Sequence, residues 1–172
     1  MSNAAGDQAD FVEYVRARQQ GLVRFAYLLA GDHHTAEDLV QAALAKTYLT
    51  WGRLRDRGAV DSYVRRIIVN ENASLWRRAW KRNERPSNDL PETPAGSARD
   101  VEQDDAMWRA VQTLPTKQRA AVVLRYYEDL SEADTARILN CSLGNVKSQT
   151  SRGIARLRAS LAENPDFLGG AS

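Results

Sequence analysis

The stretch from Leu143 to Leu161 places Asn145, Ser148, Gln149, Arg152 and Arg156 at three- and four-residue steps, with Lys147, Ser151 and Arg158 alongside. On a helix turning about 100° per residue, those side chains share one outward stripe and its flank. Between residues 143 and 158 there are four basic side chains and no acidic one. Such a stripe suits nucleic acid: Gln149 can pair bidentately with adenine and Arg152 with guanine, while the other cations neutralise phosphates. Leu143, Val146, Thr150, Ile154, Leu157 and Leu161 fall on the opposite, core-facing side. A surface helix of a plain bundle would also carry a polar stripe, but it leaves the preceding residues unexplained. Ser131-Glu-Ala-Asp134 reads as a capping box opening a short helix through Leu139, and Asn140-Cys141-Ser142 reads as a tight turn. Short helix, turn and polar-faced helix make a helix-turn-helix pattern of the kind that enters a major groove.

A second constellation lies between about Asp61 and Arg82. Tyr63, Arg66, Asn70, Arg77 and Lys81 share one side of a predicted helix, with Val64, Ile67, Ile68, Leu75 and Ala79 roughly opposite. Val69, Trp76 and Trp80 lie between the two faces. Residues 65–85 hold seven basic and two acidic side chains. Arginines for phosphates, an amide for a base edge and indoles for stacking suit DNA with exposed bases. The competing reading makes both indoles core residues and the arginines solvated. Glu71 falls on the core side of this wheel, with nothing in the sequence to explain it.

Catalytic and metal chemistry find little here. His33 and His34 are adjacent and project about 100° apart on a helix. No Ser/His/Asp, Cys/His or Gly-rich phosphate pattern accompanies them. One cysteine, Cys141, excludes an internal disulfide, and with two histidines it cannot build a His/Cys metal cage. No run approaches the roughly 18 apolar residues of a membrane span, and no signal peptide is evident. The expectation is a binding protein without enzyme activity, cofactor or membrane insertion, with the cytoplasm as its default compartment.

The elements that must position these side chains all read as helical. Phe11, Tyr14, Val15, Leu22, Phe25, Ala26 and Leu29 give a first helix, stopped at Gly31. Thr35-Ala-Glu-Asp38 resembles a capping box for a second helix running to about Trp51. In that helix Val40, Leu44, Tyr48 and Trp51 are expected to face the core. Asp38, Leu39, Ala42, Ala45, Lys46 and Leu49 are expected to face outward. So many small and apolar groups on an outward face fit either a wide core stripe or a docking surface for a partner protein. Thr113-Leu-Pro115-Thr116 breaks one later helix and caps the next, which runs to about Tyr127.

Charge divides the chain further. The net charge is only +2 on 172 residues, but residues 1–85 carry +4, residues 86–105 carry −5 and residues 106–172 carry +3. The acidic part holds three of the five prolines and no apolar period, as a linker does. The predicted fold is therefore all-α: a helical domain over 10–85, a flexible acidic linker over 86–102 and a helix-turn-helix domain over 103–163.

Four stretches in this order resemble the extracytoplasmic-function (ECF) sigma factors of bacterial RNA polymerase. They are Ala36-Glu-Asp-Leu-Val-Gln41, Tyr63-Val-Arg-Arg-Ile-Ile-Val-Asn70, Leu114-Pro-Thr-Lys-Gln-Arg119, and Leu130 to Leu139 continuing through Gly144-Asn-Val-Lys-Ser148. The arginine-rich style is similar to the actinobacterial subgroup called the SigE family. The resemblance implies sigma regions two and four, with core polymerase and promoter DNA as partners; an anti-sigma factor is a further partner such proteins can have. It assigns Asp38, Leu39, Gln41, Ala42 and Lys46 to polymerase. Tyr63, Arg66, Asn70, Trp76, Arg77, Trp80 and Lys81 go to the minus-ten element, where Asn70 matches the asparagine at the site of a captured, flipped base. Asn145, Lys147, Ser148, Gln149, Ser151, Arg152 and Arg156 go to the minus-thirty-five element. Ala42 stands where many members carry an acid, Asn145 where Thr is common, and Gln149 where Arg is frequent. The rival function is a stand-alone helix-turn-helix regulator, which should dimerise on a palindrome without polymerase.

Overall fold

The computed structural model describes residues 4–54, 56–82 and 102–163. Among these residues the chain forms seven α-helices and no strand. It divides into two compact units, Met1–Glu84 and Arg85–Ser172. The linker expected over 86–102 lies, Glu102 apart, outside the described residues.

The first unit packs α1 (Ala4–Ala30), α2 (His33–Thr50) and α3 (Arg57–Arg82). Helix α1 begins seven residues before Phe11, where the predicted apolar period starts, because Ala4 to Asp10 carry no large apolar side chain to mark a period. It ends as expected at Gly31, whose φ of 90° is the left-handed conformation that favours glycine. The cap of α2 is not Thr35. Asp32 Oδ1 accepts from the Thr35 backbone N–H at 2.7 Å, so the helix starts at His33 and Thr35 lies inside it. That shift of origin reflects the stronger capping of a carboxylate at the positive end of a helix.

Leu22, Phe25, Ala26 and Leu29 of α1 meet Ala36, Leu39, Val40, Ala43 and Leu44 of α2 and Val60, Val64 and Ile68 of α3 in the core. Leu39 was expected to face outward, yet it is only 3 % exposed. Its neighbours in the buried stripe are one turn away on either side, which fixes its direction. Tyr48 departs the other way: it is half-exposed, at the edge of an aromatic cluster where its ring lies 5.0 Å from Phe11. Phe11 also meets Trp51 edge-on at 5.2 Å, and Trp51 is buried as expected. Asn72 is the buried polar residue that α3 contributes, donating Nδ2–H to the Leu29 carbonyl at 3.4 Å. Further along α3, Leu75 and Ala79 are exposed rather than core.

The second unit contains α4 (Glu102–Gln112), α5 (Thr116–Val122), α6 (Glu132–Leu139) and α7 (Leu143–Glu163). Pro115 occupies the cap position of α5, within the stretch expected to cap it, and makes no side-chain cap bond. A different residue closes this corner. Arg119 is 5 % exposed and donates Nη2–H to the carbonyls of Gln112 at 2.9 Å and Leu114 at 3.0 Å. Burial lowers its pKa to about 10, so it remains a cation at neutral pH and satisfies carbonyls that the end of α4 leaves open. Helix α5 continues into a π-helical turn, Val123–Tyr127, that exposes Tyr126 and Tyr127. Gly153 of α7 faces α5, where a Cβ would lie 2.6 Å from Val122 Cγ2. The missing side chain thus permits the close crossing of these helices.

Candidate nucleic-acid and polymerase interfaces

Helix α7 is set by the turn before it. Ser131 Oγ accepts from the Asp134 backbone N–H at 3.0 Å and caps α6, while the Asp134 carboxylate pairs with Arg137. Asn140 then adopts φ 52° and ψ 52°, and the Cys141 N–H returns to the Ala136 carbonyl at 3.1 Å. Asparagine tolerates this left-handed cap better than other non-glycine residues. Ser142 Oγ accepts from the Asn145 backbone N–H at 3.1 Å and starts α7. Together these bonds make the tight turn expected at 140–142.

Along α7, Val146 and Leu157 are buried, Thr150, Ile154 and Leu161 are half-buried, and Leu143 is half-exposed at the first turn. Asn145, Lys147, Ser148, Ser151, Arg152 and Arg156 are all exposed. Gln149 is half-buried, and its Nε2 donates to Asn145 Oδ1 at 3.4 Å. The two carboxamides are therefore linked, and each keeps groups for a base edge. Lys147 lies 3.8 Å from Glu132 of α6.

On α3 the predicted side chains do not form one uniform face. Arg66, Asn70, Arg77 and Lys81 are exposed, whereas Tyr63 is half-buried with its hydroxyl 3.3 Å from Thr50 Oγ1. Trp80 is 70 % exposed, which removes the core reading for this indole, while Trp76 is half-buried. All six residues from Arg77 to Arg82 are exposed, and four of them are cations. Helix α3 therefore ends in a basic segment with an indole at its surface, an arrangement able to hold phosphates and stack a base.

On α2, Asp38, Gln41, Ala42, Ala45 and Leu49 form the exposed stripe. Asp38 sits 3.6 Å from His34, and Lys46 pairs with Glu71 of α3. That ion pair explains Glu71, the residue sequence reasoning left unaccounted for: it lies at the boundary between α2 and α3, not in the core. With Leu39 turned inward, the large apolar group of the stripe is Leu49, which is 82 % exposed. Leu49 was among the outward residues of the helical period but not among the assigned contacts. A run of small residues ending in an exposed leucine is suited to receive another protein's side chains.

Among the described residues no group of three or more His, Cys, Asp or Glu is placed to hold a metal ion. No described helix is long and apolar enough to cross a membrane.

Comparison with known proteins assigns both units. The family model for sigma-70 region 2 matches residues 14–82, and that for sigma-70 region 4 matches residues 104–157. The chain is 43 % identical over 157 residues to the RNA polymerase sigma-E factor of Streptomyces coelicolor, covering 91 % of this chain and 88 % of that protein. It is 36 % identical over 156 residues to the ECF RNA polymerase sigma factor SigM of Mycobacterium tuberculosis, covering 91 % and 79 %. The sigma factor RpoE of Bartonella quintana, solved with the anti-sigma factor NepR, matches with a TM-score of 0.74 at 26 % identity, over 90 % of this chain and 98 % of that one. With both sigma regions matched in order and relatives similar over nearly their whole length, the chain belongs to the ECF family of RNA polymerase sigma factors.

Proposed function

We propose that this sigma factor binds core RNA polymerase through the exposed α2 stripe and directs initiation by reading two promoter elements, one with each unit. The observation that carries the reading is the acid-free, exposed polar stripe of α7, held by a capped helix and a left-handed turn. Asn145, Lys147, Ser148, Gln149, Ser151, Arg152 and Arg156 would face the minus-thirty-five element in a major groove. Arg66, Asn70, Arg77, Trp80 and Lys81, with Tyr63 and Trp76 at the margin, would face the minus-ten element. The functional boundaries are 10–85 for the polymerase and minus-ten domain, 86–102 for the linker and 103–163 for the minus-thirty-five domain.

Each basic face alone holds DNA weakly and in a salt-sensitive way. Mounting both on polymerase makes the second contact effectively intramolecular and adds avidity. Extruding a base costs on the order of a few kcal/mol, which stacking and hydrogen bonding at the end of α3 would offset. The chain contributes binding and positioning, without catalytic groups or a cofactor, and works in the cytoplasm where polymerase is. The segment of charge −5 between the units would follow a positively charged polymerase channel. A stand-alone regulator is not favoured, since it has no use for a polymerase-docking stripe or a second basic helix. An anti-sigma factor is a fitting regulator, as the Bartonella relative was solved with one.

Reconstitution with core polymerase, run-off transcription and sequencing of the selected promoters tests the proposal. The expected result is a stable holoenzyme that starts at a defined set of promoters. A chain that neither binds core nor redirects initiation overturns it.

A further inference from the structure

A groove of about 360 Å³ runs along one flank of α7 and is closed on its far side by the π-helical turn after α5. Its volume falls within the range of small-molecule sites. Lys147 and Glu132 stand together at one end, 3.8 Å apart, with Glu132 rising from the first turn of α6. Arg158 follows three turns further along α7, so about 16 Å of helix separates it from Lys147. Between them Ser151 and Ile154 form the floor, and Tyr126 borders the far wall with 65 % of its surface exposed. Arg125 donates to the Leu130 carbonyl and so braces the turn that presents this ring. The base-reading stripe of α7 accounts for Lys147 and Ser151 and leaves Tyr126, Glu132 and Arg158 without a part.

The lining selects its guest by three properties. A carboxylate repels a phosphate at close range, so Glu132 calls for a group that brings donors. Guanine brings two: N1–H and N2–H match the two oxygens of one carboxylate, while O6 and N7 accept from an ammonium. Glu132 and Lys147, as neighbours, present that acceptor and that donor side by side. An exposed tyrosine ring is a stacking surface for a base whose own face is open. Bases of an intact duplex are covered on both faces, which directs the site to a free nucleotide. At the other end the exposed Arg158, with Ser151 before it, supplies a cation and a hydroxyl donor for phosphate oxygens. The spacing leaves room for a ribose and two phosphates between the ends. We propose that this groove binds a guanine nucleoside diphosphate, with its base at Tyr126 and Glu132 and its phosphates at Arg158, and that the occupant takes Lys147 and Ser151 away from promoter DNA. The competition with DNA rests on the reading of α7 as the minus-thirty-five reader; the nucleotide site itself does not.

The first test titrates the free, full-length chain with GDP, ADP, guanosine and pyrophosphate by calorimetry. GDP should bind saturably, with ADP and pyrophosphate each weaker by about tenfold or more. Tyr126→Ala should weaken GDP by about tenfold, and Tyr126→Phe, which keeps the ring, should bind it as the wild type does. Glu132→Gln should remove the preference for GDP over ADP. Arg158→Ala should weaken GDP while leaving guanosine unchanged. Thermal unfolding of each variant controls for folding. Equal binding of GDP and ADP, pyrophosphate as tight as GDP, or no saturable binding of GDP at millimolar concentration overturns the site. The second test uses holoenzyme on a promoter mapped by run-off transcription, footprinted with GDP as the sole nucleotide. GDP should release the upstream element from wild-type holoenzyme and not from holoenzyme carrying Tyr126→Ala. Protection that persists at saturating GDP overturns the competition, and so does equal release from both holoenzymes, which would place the effect in core polymerase. If the wild type binds GDP yet does not prefer its promoter over one with a scrambled upstream element, the reading of α7 fails and the competition with it, while the nucleotide site stands on the titration.

Discussion

Tyr14 donates its phenolic O–H to Asp61 Oδ1 at 2.8 Å, joining α1 to the first turns of α3 across 47 positions of sequence. Arg18 approaches the other carboxylate oxygen at 3.3 Å. This clasp lies next to the short turn Trp51–Arg53 and holds the start of α3, the helix that carries Asn70 and Trp80. Burial raises the Tyr14 pKa well above its ordinary value, and the hydrogen bond to Asp61 and the Asp61 charge push it the same way. The folded chain therefore keeps a proton that the unfolded chain sheds above about pH 10. The stabilisation is complete below that pH and is lost as the pH rises beyond it. Tyr14→Phe should cost about 1–2 kcal/mol at neutral pH. It should also flatten the alkaline decline in stability, measured by urea unfolding at several pH values. An equal decline in wild type and variant would assign it to other groups.

Arg119 ties the last carbonyls of α4 to α5, which gives the Leu114-Pro115…Arg119 pattern a mechanical meaning. Arg119→Ala leaves two carbonyls without this donor in a buried corner and should destabilise the second unit by about 2–4 kcal/mol. Arg119→Lys should recover part of that, since one ammonium cannot reproduce the planar fork. Denaturant unfolding reads the effect, followed by the emission of Trp108 on α4 after subtraction of the signal from the three tryptophans of the first unit. A loss under about 0.5 kcal/mol would mean that water replaces the guanidinium at little cost.

The helices of both units and the turn of the helix-turn-helix were legible in the sequence because period, glycine and cap residues agree there. Gly31, Ser131 and Asn140 do what their types suggest. The failures share a cause: a helical wheel gives spacing but not the width or direction of the buried stripe. Leu39 and Tyr48 exchanged environments because packing against both α1 and α3 turns the core face of α2 toward Ala36, Leu39 and Ala43. Leu75 and Ala79 keep the apolar period of α3 although both are exposed. Thr35 matched a cap pattern, but Asp32 three residues earlier offered the stronger acceptor. Glu71 and Arg119 depend on partners 25 and 5–7 residues away, which no local pattern names.

Gly153 is where α7 passes closest to α5. A methyl group there would stand 2.6 Å from Val122 Cγ2, so one helix must shift or Val122 must rotate. Gly153→Ala should cost about 1–3 kcal/mol of stability through overpacking. Val122→Ala in the same chain should return part of it by vacating the contested volume. The double-mutant cycle in urea checks the coupling, and simple additivity would place the strain elsewhere.

Leu49 is 82 % exposed, so replacing it should leave the fold intact while altering the α2 stripe. Leu49→Arg is expected to weaken capture of core polymerase tenfold or more, equivalent to about 1.4 kcal/mol. Co-purification or fluorescence anisotropy with core measures it, with circular dichroism as the control for folding. Unchanged core affinity would move the docking surface away from this stripe.

Asn70 and Trp80 occupy exposed positions on α3, ten residues or nearly three turns apart, and neither supports the core. Their loss should therefore spare folding and core binding and fall on DNA opening. Trp80→Ala removes a stacking surface and Asn70→Ala removes an amide able to hold an extruded base, so the two should act on the same step. Each is expected to lower run-off transcription from duplex promoters by about tenfold, the scale of a single base–aromatic contact. Permanganate reactivity of unpaired thymines should fall in parallel. A template already mismatched over the minus-ten region should recover part of the activity, because the unpairing cost is then absent. Loss of core binding in Asn70→Ala would instead give that residue a structural role, and full activity in Trp80→Ala would leave its exposed ring without a part in melting.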